Sequence, residues 1–286
     1  MKEKTKKSTP GRLYLVSTPI GNMEDITLRA LRVLKEVDLV AAEDTRVARK
    51  LFSTYGIKTP LESCFESNED VKADFFLRRL QGGSDIALIS DAGTPGVSDP
   101  GFRLTETCLE KGIAVRTVPG PCSVISALSV SGFSMESFSF MGFVPRAAAK
   151  RKRFYLSLRG EAVGAAVVFE TARRLKASLA DAREVLGDVS VVMARELTKV
   201  HEEVMRGAIS EVLGALEGRV VLGEVALVFR LDRPALTEAE AGAMMEELLR
   251  AGLPLKEVVK AVTRESGASR TGVYKEALAM KVRLGL

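Results

Sequence analysis

The sequence has little of what several classes of protein require. Its 286 residues include three cysteines, a single histidine and no tryptophan. The cysteines, Cys64, Cys108 and Cys122, are widely spaced, which disfavours both a disulfide framework and a zinc site. No apolar run reaches the ~18 residues of a membrane-spanning helix, and no signal sequence follows the basic N-terminus. We therefore expect a protein of the reducing cytoplasm that uses neither a metal ion nor a membrane.

Two nucleotide-binding motifs are also missing. No G-x-G-x-x-G follows the first predicted strand, and no G-x-x-x-x-G-K-[ST] occurs in the chain. Both motifs bring a glycine-rich backbone against phosphate groups. Their absence disfavours dinucleotide binding of the Rossmann type and phosphate binding by a P-loop.

The overall composition is that of a globular protein, with 46% apolar and 28% charged residues. The length suggests about two domains. The formal net charge of +5 and the isoelectric point near 9.1 are a modest basic excess. Such an excess favours a polyanionic partner without requiring one.

Apolar runs of strand length alternate with helical patterns from Arg12 to Val130, as is typical of a parallel sheet covered by helices. After a break near residue 143, strands follow one another more closely, which indicates a mixed sheet. Three short helical patterns end the chain. We expect a flexible basic tail over 1–11, an α/β domain over 12–142, a second α/β domain over 143–235 and a helical unit over 236–286.

Two basic features each allow two interpretations. The helical unit has Ser269 as a plausible N-cap and basic residues near its last helix, and it resembles a helix-turn-helix. It could equally be an appendage that packs on the body of the protein. The basic run at 150–153 is either the solvated face of a helix or a contact for phosphate groups.

The stretch 86–101 is the centre of the predicted sheet. Residues 86–89 are a continuous apolar run, which suits a strand buried on both faces, and a loop rich in glycine and proline follows it. Ligands bind at the carboxyl edge of such sheets. The loops 17–22 and 119–123 should emerge at the same edge. We expect a ligand there, with Asp99 and Pro100 serving as the cap and first residue of the next helix.

Several motifs carry a family resemblance. In order they are STPIGN at 17–22, AEDTR at 42–46, SDAGTP at 90–95, SDPG at 98–101, VPGP at 118–121 and ARELTK at 194–199. Together they resemble the tetrapyrrole-methylase superfamily and, within it, the branch of small-subunit ribosomal RNA cytidine 2'-O-methyltransferases. The resemblance covers essentially the whole chain, including the C-terminal helices.

The resemblance implies two α/β domains with a cofactor cleft between them, a small C-terminal helix-turn-helix-like unit and a homodimer. The cofactor would be S-adenosyl-L-methionine. The substrate would be 16S rRNA or the small ribosomal subunit, methylated on the ribose of a decoding-centre cytidine. By position, the cofactor would be lined by Pro19, Ile20, Ser90, Asp91, Ala92, Gly93, Thr94, Pro95, Cys122, Ser123, Phe169, Glu170, Met193 and Ala194.

Methyl transfer to a ribose hydroxyl is assisted by a base that accepts the proton. With one histidine in the chain, the candidates are Asp44, Lys199, Glu196 and Glu43, of which Asp44 and Lys199 are favoured because they lie in polar motifs after strands. Asp44 could instead merely cap the next helix. The candidate contacts to RNA are Arg46, Lys150, Arg151, Arg173 and Arg195.

The chain departs from the family pattern in two places. Cys122 stands where the family usually has serine, and Ala172-Arg173 stands where it usually has proline and histidine.

The sequence leaves two alternative functions. A small-molecule tetrapyrrole methylase would share fold and cofactor, but such relatives generally carry Pro-Gly-Asp where this chain has Ile20-Gly21-Asn22, and they lack the C-terminal helices. A non-catalytic RNA-binding module is disfavoured by the aromatic content of 6%.

Overall fold

The computed structural model describes residues 9–65, 69–161, 164–231 and 236–286. Most of the predicted basic tail therefore lies outside the described residues. One compact unit ends at Leu231 and contains two β-sheets, and a second contains the C-terminal helices. Within the described ranges no helix has the length and apolar character needed to span a bilayer.

The N-terminal sheet is built from strands that alternate with helices. The strands are β1 (Arg12–Val16), β2 (Leu39–Ala42), β3 (Leu61–Ser63), β4 (Ile86–Ile89) and β5 (Ala114–Val118). The helices are α1 (Leu28–Glu36), α2 (Thr45–Tyr55), α3 (Glu69–Gln81), α4 (Phe102–Glu110) and α5 (Ser123–Ser129). All strand pairs are parallel, in the order β3-β2-β4-β1-β5. Every residue of β2 and β4 is buried because helices cover both faces of the sheet.

The second sheet is mixed, as the sequence predicts. Its strands are β6 (Phe138–Phe143), β7 (Gly164–Thr171), β8 (Ser190–Arg195), β9 (Glu203–Ala208) and β10 (Glu224–Leu231), and its helices are α6 (Ala148–Glu161), α7 (Leu175–Leu186) and α8 (Ile209–Ala215). The order is β6-β7-β10-β8-β9, with only the β6–β7 pair parallel. Because β6 belongs to this sheet, the sheet begins before the predicted boundary at residue 143.

The two faces of the second sheet bury different partners. One face packs against α6, α7 and α8. The opposite face packs against Ile20 and the α5 residues Val124, Ala127 and Leu128, so α5 lies between the two sheets. This shared core holds the carboxyl edge of the N-terminal sheet beside the second sheet.

The C-terminal unit consists of α9 (Glu238–Arg250), α10 (Leu255–Ser266) and α11 (Arg270–Arg283). Thr237 and Glu240 form a capping box at the start of α9, and Ser269 accepts a hydrogen bond from Gly272 at the start of α11. The predicted cap at Ser269 is thus confirmed. The three helices share an apolar core of their own, centred on Met245, Val262 and Val273.

Candidate active site

Three loops meet at the carboxyl edge of the N-terminal sheet, as their positions after strands predict. Thr18 and Gly93 form two backbone hydrogen bonds, of 2.8 and 3.1 Å. The hydroxyl groups of Ser17 and Thr94 lie 2.9 Å apart, and Thr94 also donates to the carbonyl of Pro121 over 3.5 Å. The three loops therefore form a single wall.

The second sheet supplies the opposite wall. The ends of β7 and β8 and the start of β10 meet there, because β10 runs antiparallel to both. Between the walls is a cleft where the resemblance predicts the cofactor, and we call it the cofactor cleft. It is lined by Ile20, Ala92, Gly93, Thr94, Val97, Ser98, Asp99, Cys122, Ser123, Phe143, Phe169, Glu170, Thr171, Ala194, Leu197, Gly223, Glu224, Val225 and Ala226. Nine of the fourteen predicted cofactor residues are in this set: Ile20, Ala92, Gly93, Thr94, Cys122, Ser123, Phe169, Glu170 and Ala194.

The remaining five predicted cofactor residues lie elsewhere. Met193 is fully buried in the core beside α7, because side chains alternate along β8 and only Ala194 faces the cleft. Pro19, Ser90 and Asp91 line a second cavity, and Pro95 is buried beneath the loop. Met193 is therefore removed from the set of side chains that could contact a cofactor.

The second cavity adjoins the cofactor cleft. Ile20, Ala92 and Glu224 line both spaces. The rest of its lining comes from Thr18, Pro19, Gly21, Met23, Val47, Ala48, Leu51, Ile89, Ser90, Asp91 and Lys199. Two ligands, one bound in each space, would come into contact beside these three shared residues.

Gly93 is a glycine for conformational reasons. Its φ is +79°, a left-handed value that disfavours other residues, and an added Cβ would meet no atom closer than Ile20 Cγ2 at 3.5 Å. This conformation provides the backbone turn that pairs with Thr18.

Asp99 is not the helix cap that the sequence suggested. Gly101 occupies the N-cap position of α4 and makes no side-chain cap, while Asp99 lines the cofactor cleft. Burial, together with the negative charge of Glu43, raises the pKa of Asp99 to about 6, although a hydrogen bond from Ser90 opposes the shift. The preceding residue, Ser98, has a strained φ of +63°.

Two more carboxyl groups lie at this edge of the sheet. Burial raises the pKa of Glu43 and of Asp91, and their mutual repulsion adds to the shift at Glu43. Each accepts a backbone hydrogen bond, Glu43 from Asp91 over 3.2 Å and Asp91 from Asp44 over 3.0 Å. In the described part of the chain, no group of histidine, cysteine and acidic side chains is arranged to hold a metal ion.

Asp44 serves the local structure of α2. Its carboxylate accepts from the backbone of Arg46 at the helix N-terminus and pairs with the Arg46 guanidinium at 2.6 Å. These hydrogen bonds lower the pKa of Asp44 to about 2. The capping alternative is therefore what the geometry favours, since a carboxylate with so low a pKa is a weak base.

Lys199 is held as a cation. Its Nζ lies 2.9 Å from Glu196 and 3.0 Å from Glu224. Partial burial alone would lower the pKa of Lys199, but the hydrogen bonds to both carboxylates outweigh it and the net shift is upward. Glu196 also accepts from the backbone of Glu224, which lowers its pKa. These contacts argue against either group as the base that the sequence suggested.

Glu170 has one unused acceptor within the cleft wall. Its side chain is fully buried, and Oε1 accepts from the Thr171 backbone and from Arg174, both at 2.6 Å. Oε2 and Nη1 of Arg174 have no partner among the described residues. Because an unpaired buried acceptor costs about 1–3 kcal/mol, Glu170 is suited to receive a donor from a ligand.

The candidate RNA contacts divide into two groups. Arg151 is buried against Asp181 at 2.5 Å, and Arg195 pairs with Glu203 while donating to the Leu222 carbonyl. Both guanidinium groups are committed to the fold, so they are removed from the set. The other three candidates have exposed side chains: Arg46, Lys150 and Arg173.

A close contact joins the first loop to the loop after β8. Asn22 N donates to Thr198 Oγ1 over 3.0 Å, and both Glu196 and Thr198 have left-handed φ values, of +51° and +66°. An added Cβ on Gly21 would lie 2.5 Å from Lys199 Cγ and 3.0 Å from the Leu197 carbonyl. The two loops can therefore meet this closely only because Gly21 has no side chain.

We expect Gly21→Ala to displace the loop that carries Leu197 and Lys199. The overlap should lower the free energy of unfolding by roughly 1–3 kcal/mol and weaken ligand binding in the cleft that Leu197 lines. Denaturant unfolding and calorimetry measure the two effects. Gly214→Ala is the control, since an added Cβ there meets no atom within 4 Å. Equal behaviour of the two variants would contradict the proposed contact.

Comparisons with known proteins identify a family and close relatives in sequence. The family described as Tetrapyrrole (Corrin/Porphyrin) Methylases matches residues 12–213. Ribosomal RNA small subunit methyltransferase I of Thermotoga maritima is 46% identical over 218 residues, which cover 76% of this chain and 97% of that protein. The protein of the same name from Pseudomonas aeruginosa is 44% identical, covering 94% of this chain and 97% of its own.

A solved structure supports the fold. Uroporphyrin-III-C-methyltransferase from Thermus thermophilus superposes with a TM-score of 0.53 and 22% identity, over 77% of this chain and 94% of that one. At this identity the likeness concerns the arrangement of the two sheets alone.

Proposed function

The chain belongs to the tetrapyrrole (corrin/porphyrin) methylase family, and on that premise we propose that it methylates the 2'-hydroxyl of a decoding-centre cytidine in 16S rRNA. It is an S-adenosylmethionine-dependent ribosomal RNA methyltransferase, in keeping with relatives 44–46% identical. The single observation that carries the proposal is the pair of adjoining cavities, which offers separate places for a cofactor and an acceptor nucleoside.

The cofactor cleft has the chemistry that S-adenosylmethionine requires. The cofactor combines apolar surface, hydroxyl and amino donors and a net positive charge. The cleft offers the apolar side chains of Ile20, Val97 and Phe169, the carboxylate of Asp99 and the unused buried acceptor of Glu170. We assign Asp99 to the cofactor's positive charge and Glu170 Oε2 to one of its donors. When bound, the cofactor supplies a methyl group activated by a sulfonium centre.

The second cavity would hold the acceptor nucleoside. Its shared residues Ile20, Ala92 and Glu224 mark where the acceptor oxygen would approach the methyl group. Holding two reactants in line supplies much of the acceleration of a displacement reaction. Arg46, Lys150 and Arg173, whose side chains are exposed, would contact phosphate groups of the RNA outside the cavity.

We assign the proton of the ribose hydroxyl to a carboxylate rather than to Lys199. Asp91 lines the second cavity, and its raised pKa brings it closer to neutrality than Asp44. Lys199, held as a cation in the lining of the same cavity, would stabilise negative charge that develops on the acceptor oxygen. Asp44 would orient Arg46 and cap α2.

Methyl transfer from labelled cofactor tests the function. With small-subunit rRNA or assembled subunits, we expect label on one cytidine, detected as resistance of the adjoining phosphodiester to alkaline cleavage. Label on a tetrapyrrole instead of RNA would favour the small-molecule alternative. A protein that binds RNA but neither binds nor consumes the cofactor would be the non-catalytic module.

Cys122 provides a direct probe of the cofactor cleft. It is partly exposed in the cleft, whereas Cys64 and Cys108 are buried, and burial raises the pKa of Cys108 to about 11. Since the thiolate is the reactive form, we expect a small alkylating agent to label Cys122 alone in the native protein. S-adenosylmethionine should slow this labelling by about tenfold at roughly ten times its Kd.

The matched control for this experiment is Cys122→Ser. The serine should preserve cofactor affinity because the family usually carries serine at this position, and native labelling should disappear. Labelling of Cys122 at the same rate with and without saturating cofactor would contradict the assigned cleft. Mass spectrometry of the labelled peptides separates the three cysteines.

We further propose that the enzyme is a cytoplasmic homodimer. The three free thiols suit a reducing compartment that also contains ribosomal RNA. The homodimer rests on the family resemblance, and light scattering in solution tests it.

A further inference from the structure

A polar pocket lies at the opposite edge of the N-terminal sheet from the cofactor cleft. Its lining comes from the start of β1, the middle of β5, one face of α1 and the residue before β4, and it consists of Arg12, Tyr14, Arg29, Arg32, Val33, Glu36, Val37, Asp85 and Arg116. We call Arg12, Arg29, Arg32 and Arg116 the arginine pocket. Nothing in the proposed chemistry uses these four arginines.

The sheet itself gathers these side chains. Arg12 and Tyr14 alternate with the buried Leu13 on β1, so both face α1. Arg116 lies on the edge strand β5 and is the register partner of Tyr14. Arg29 and Arg32 are three residues apart on α1 and share one helix face. The result is a groove between α1 and the sheet edge.

The arginine pocket has more positive charge than the fold neutralises. Arg12 Nε lies 3.8 Å from Asp85, and Arg32 pairs with Glu36 at 2.8 Å. Among the residues that the structure describes, Arg29 and Arg116 have no ion-pair partner. Four guanidinium groups thus face two carboxylates around one cavity.

A purely structural role does not account for this arrangement. Arg151, one of the arginines that support the fold, is buried and paired with Asp181, whereas Arg29 and Arg116 are exposed. A charge on an edge strand can prevent strand pairing between molecules, which would explain Arg116 alone. It does not explain why α1 directs two more arginines towards the same cavity.

We propose that the arginine pocket binds backbone phosphates of the RNA substrate away from the nucleotide that is methylated. Guanidinium groups match phosphate oxygens in pairs of parallel hydrogen bonds. Arg12 begins β1, whereas the loop that carries Ile20 to the cofactor cleft follows the last residue of the strand, Val16. Arg12 and that loop are therefore separated by the length of the strand, roughly 15 Å at about 3.3 Å per residue. A structured RNA can span that distance. The inference rests on the proposed function, because it assumes an RNA substrate.

The test removes the two arginines without an ion-pair partner. We expect Arg29→Gln/Arg116→Gln to bind a 16S rRNA fragment about tenfold more weakly at 0.1 M salt. The slope of log K against log salt should fall by about 1–2, since each phosphate contact contributes roughly 0.7–0.9. The affinity for S-adenosylmethionine should be unchanged. The control is Lys58→Gln/Arg78→Gln, which removes two exposed charges near β3 and on α3.

Each outcome is decisive. An unchanged salt slope, or equal losses in the test and control variants, overturns the arginine pocket as an RNA site. A second experiment titrates the unaltered protein and the test variant with inorganic phosphate. If the test variant no longer binds phosphate but binds RNA with unchanged affinity, the pocket is a site for a free anion and the RNA proposal is overturned. If the unaltered protein methylates rRNA but the test variant has the same salt slope as the unaltered protein, only this inference fails. If the unaltered protein does not bind rRNA, the proposed function fails with it.

Discussion

Replacing Asp99 by asparagine should abolish most of the affinity for S-adenosylmethionine. The amide has nearly the same shape as the carboxylate but lacks its negative charge, and Asp99 lines an otherwise largely apolar cleft. A hydrogen bond that involves a charged group contributes about 1.5–3 kcal/mol, so we expect a loss of about 10- to 100-fold. Isothermal titration calorimetry at pH 7.5 measures it.

The same side chain predicts how binding depends on pH. The free protein holds Asp99 with a pKa of about 6, and the cationic cofactor binds the ionised form. Affinity should therefore be full above about pH 7 and fall by about tenfold per pH unit below 6, because binding must then expel a proton. Asp99→Asn should show no such dependence in that range.

Unfolding of Asp99→Asn would not account for its loss of cofactor affinity. Burial disfavours the ionised Asp99, which is why its pKa is raised, so the amide should leave the free energy of unfolding at pH 7 unchanged or higher. Asp74→Asn, an exposed carboxylate on α3, is the matched control. An Asp99→Asn protein that binds the cofactor with unaltered affinity would show that the cleft has been assigned wrongly.

Asp99 also shows where sequence reasoning ends. The SDPG motif contains a good helix-capping residue followed by proline, and this local pattern predicts a helix cap at Asp99. The structure begins α4 two residues after Pro100 because Ser98 and Gly101 take positive φ values. Those turns direct the Asp99 carboxylate into the cleft. The signal in the sequence was the length of the loop, which exceeded what a cap requires.

The direction of the central strands could be predicted from the sequence, but one edge strand of each sheet could not. The buried runs of β2 and β4 and the three loops at one sheet edge follow from periodicity and glycine placement. The short β3 and the partly exposed β6 were missed because neither forms a continuous buried run. Gly223, Glu224, Val225 and Ala226 were missed because they lie at the start of a strand and not at its end, and only the antiparallel course of β10 brings them to the cleft.

The ion pairs were the least predictable part. Arg151 and Arg195 stand in basic and polar motifs that suggest contact with RNA, yet each has a carboxylate partner far along the chain or across a strand pair. Sequence does not reveal such partners without the tertiary fold. The same is true of Lys199, whose two carboxylate partners reverse the expected role of its side chain.

Lys199 gives the largest expected effect on the chemical step. If it acts as a fixed cation beside the acceptor oxygen, Lys199→Met should lower the single-turnover rate by about 10²-fold, the scale of losing one electrostatic donor. Lys199→Arg should retain most of the rate, because charge and not basicity is required. Thermal unfolding of Lys199→Met shows whether the protein still folds without the contacts to Glu196 and Glu224.

The pH–rate profile assigns the base. Asp91 as the proton acceptor predicts a limb below neutrality that persists in Lys199→Arg and is lost in Asp91→Asn, since the amide cannot accept the proton. Asparagine is also a good helix cap, so Asp44→Asn should retain most activity. Two results would contradict these roles. A limb above neutrality that disappears in Lys199→Arg would identify the lysine as the base, and a 10²-fold loss in Asp44→Asn with normal cofactor and RNA binding would identify Asp44.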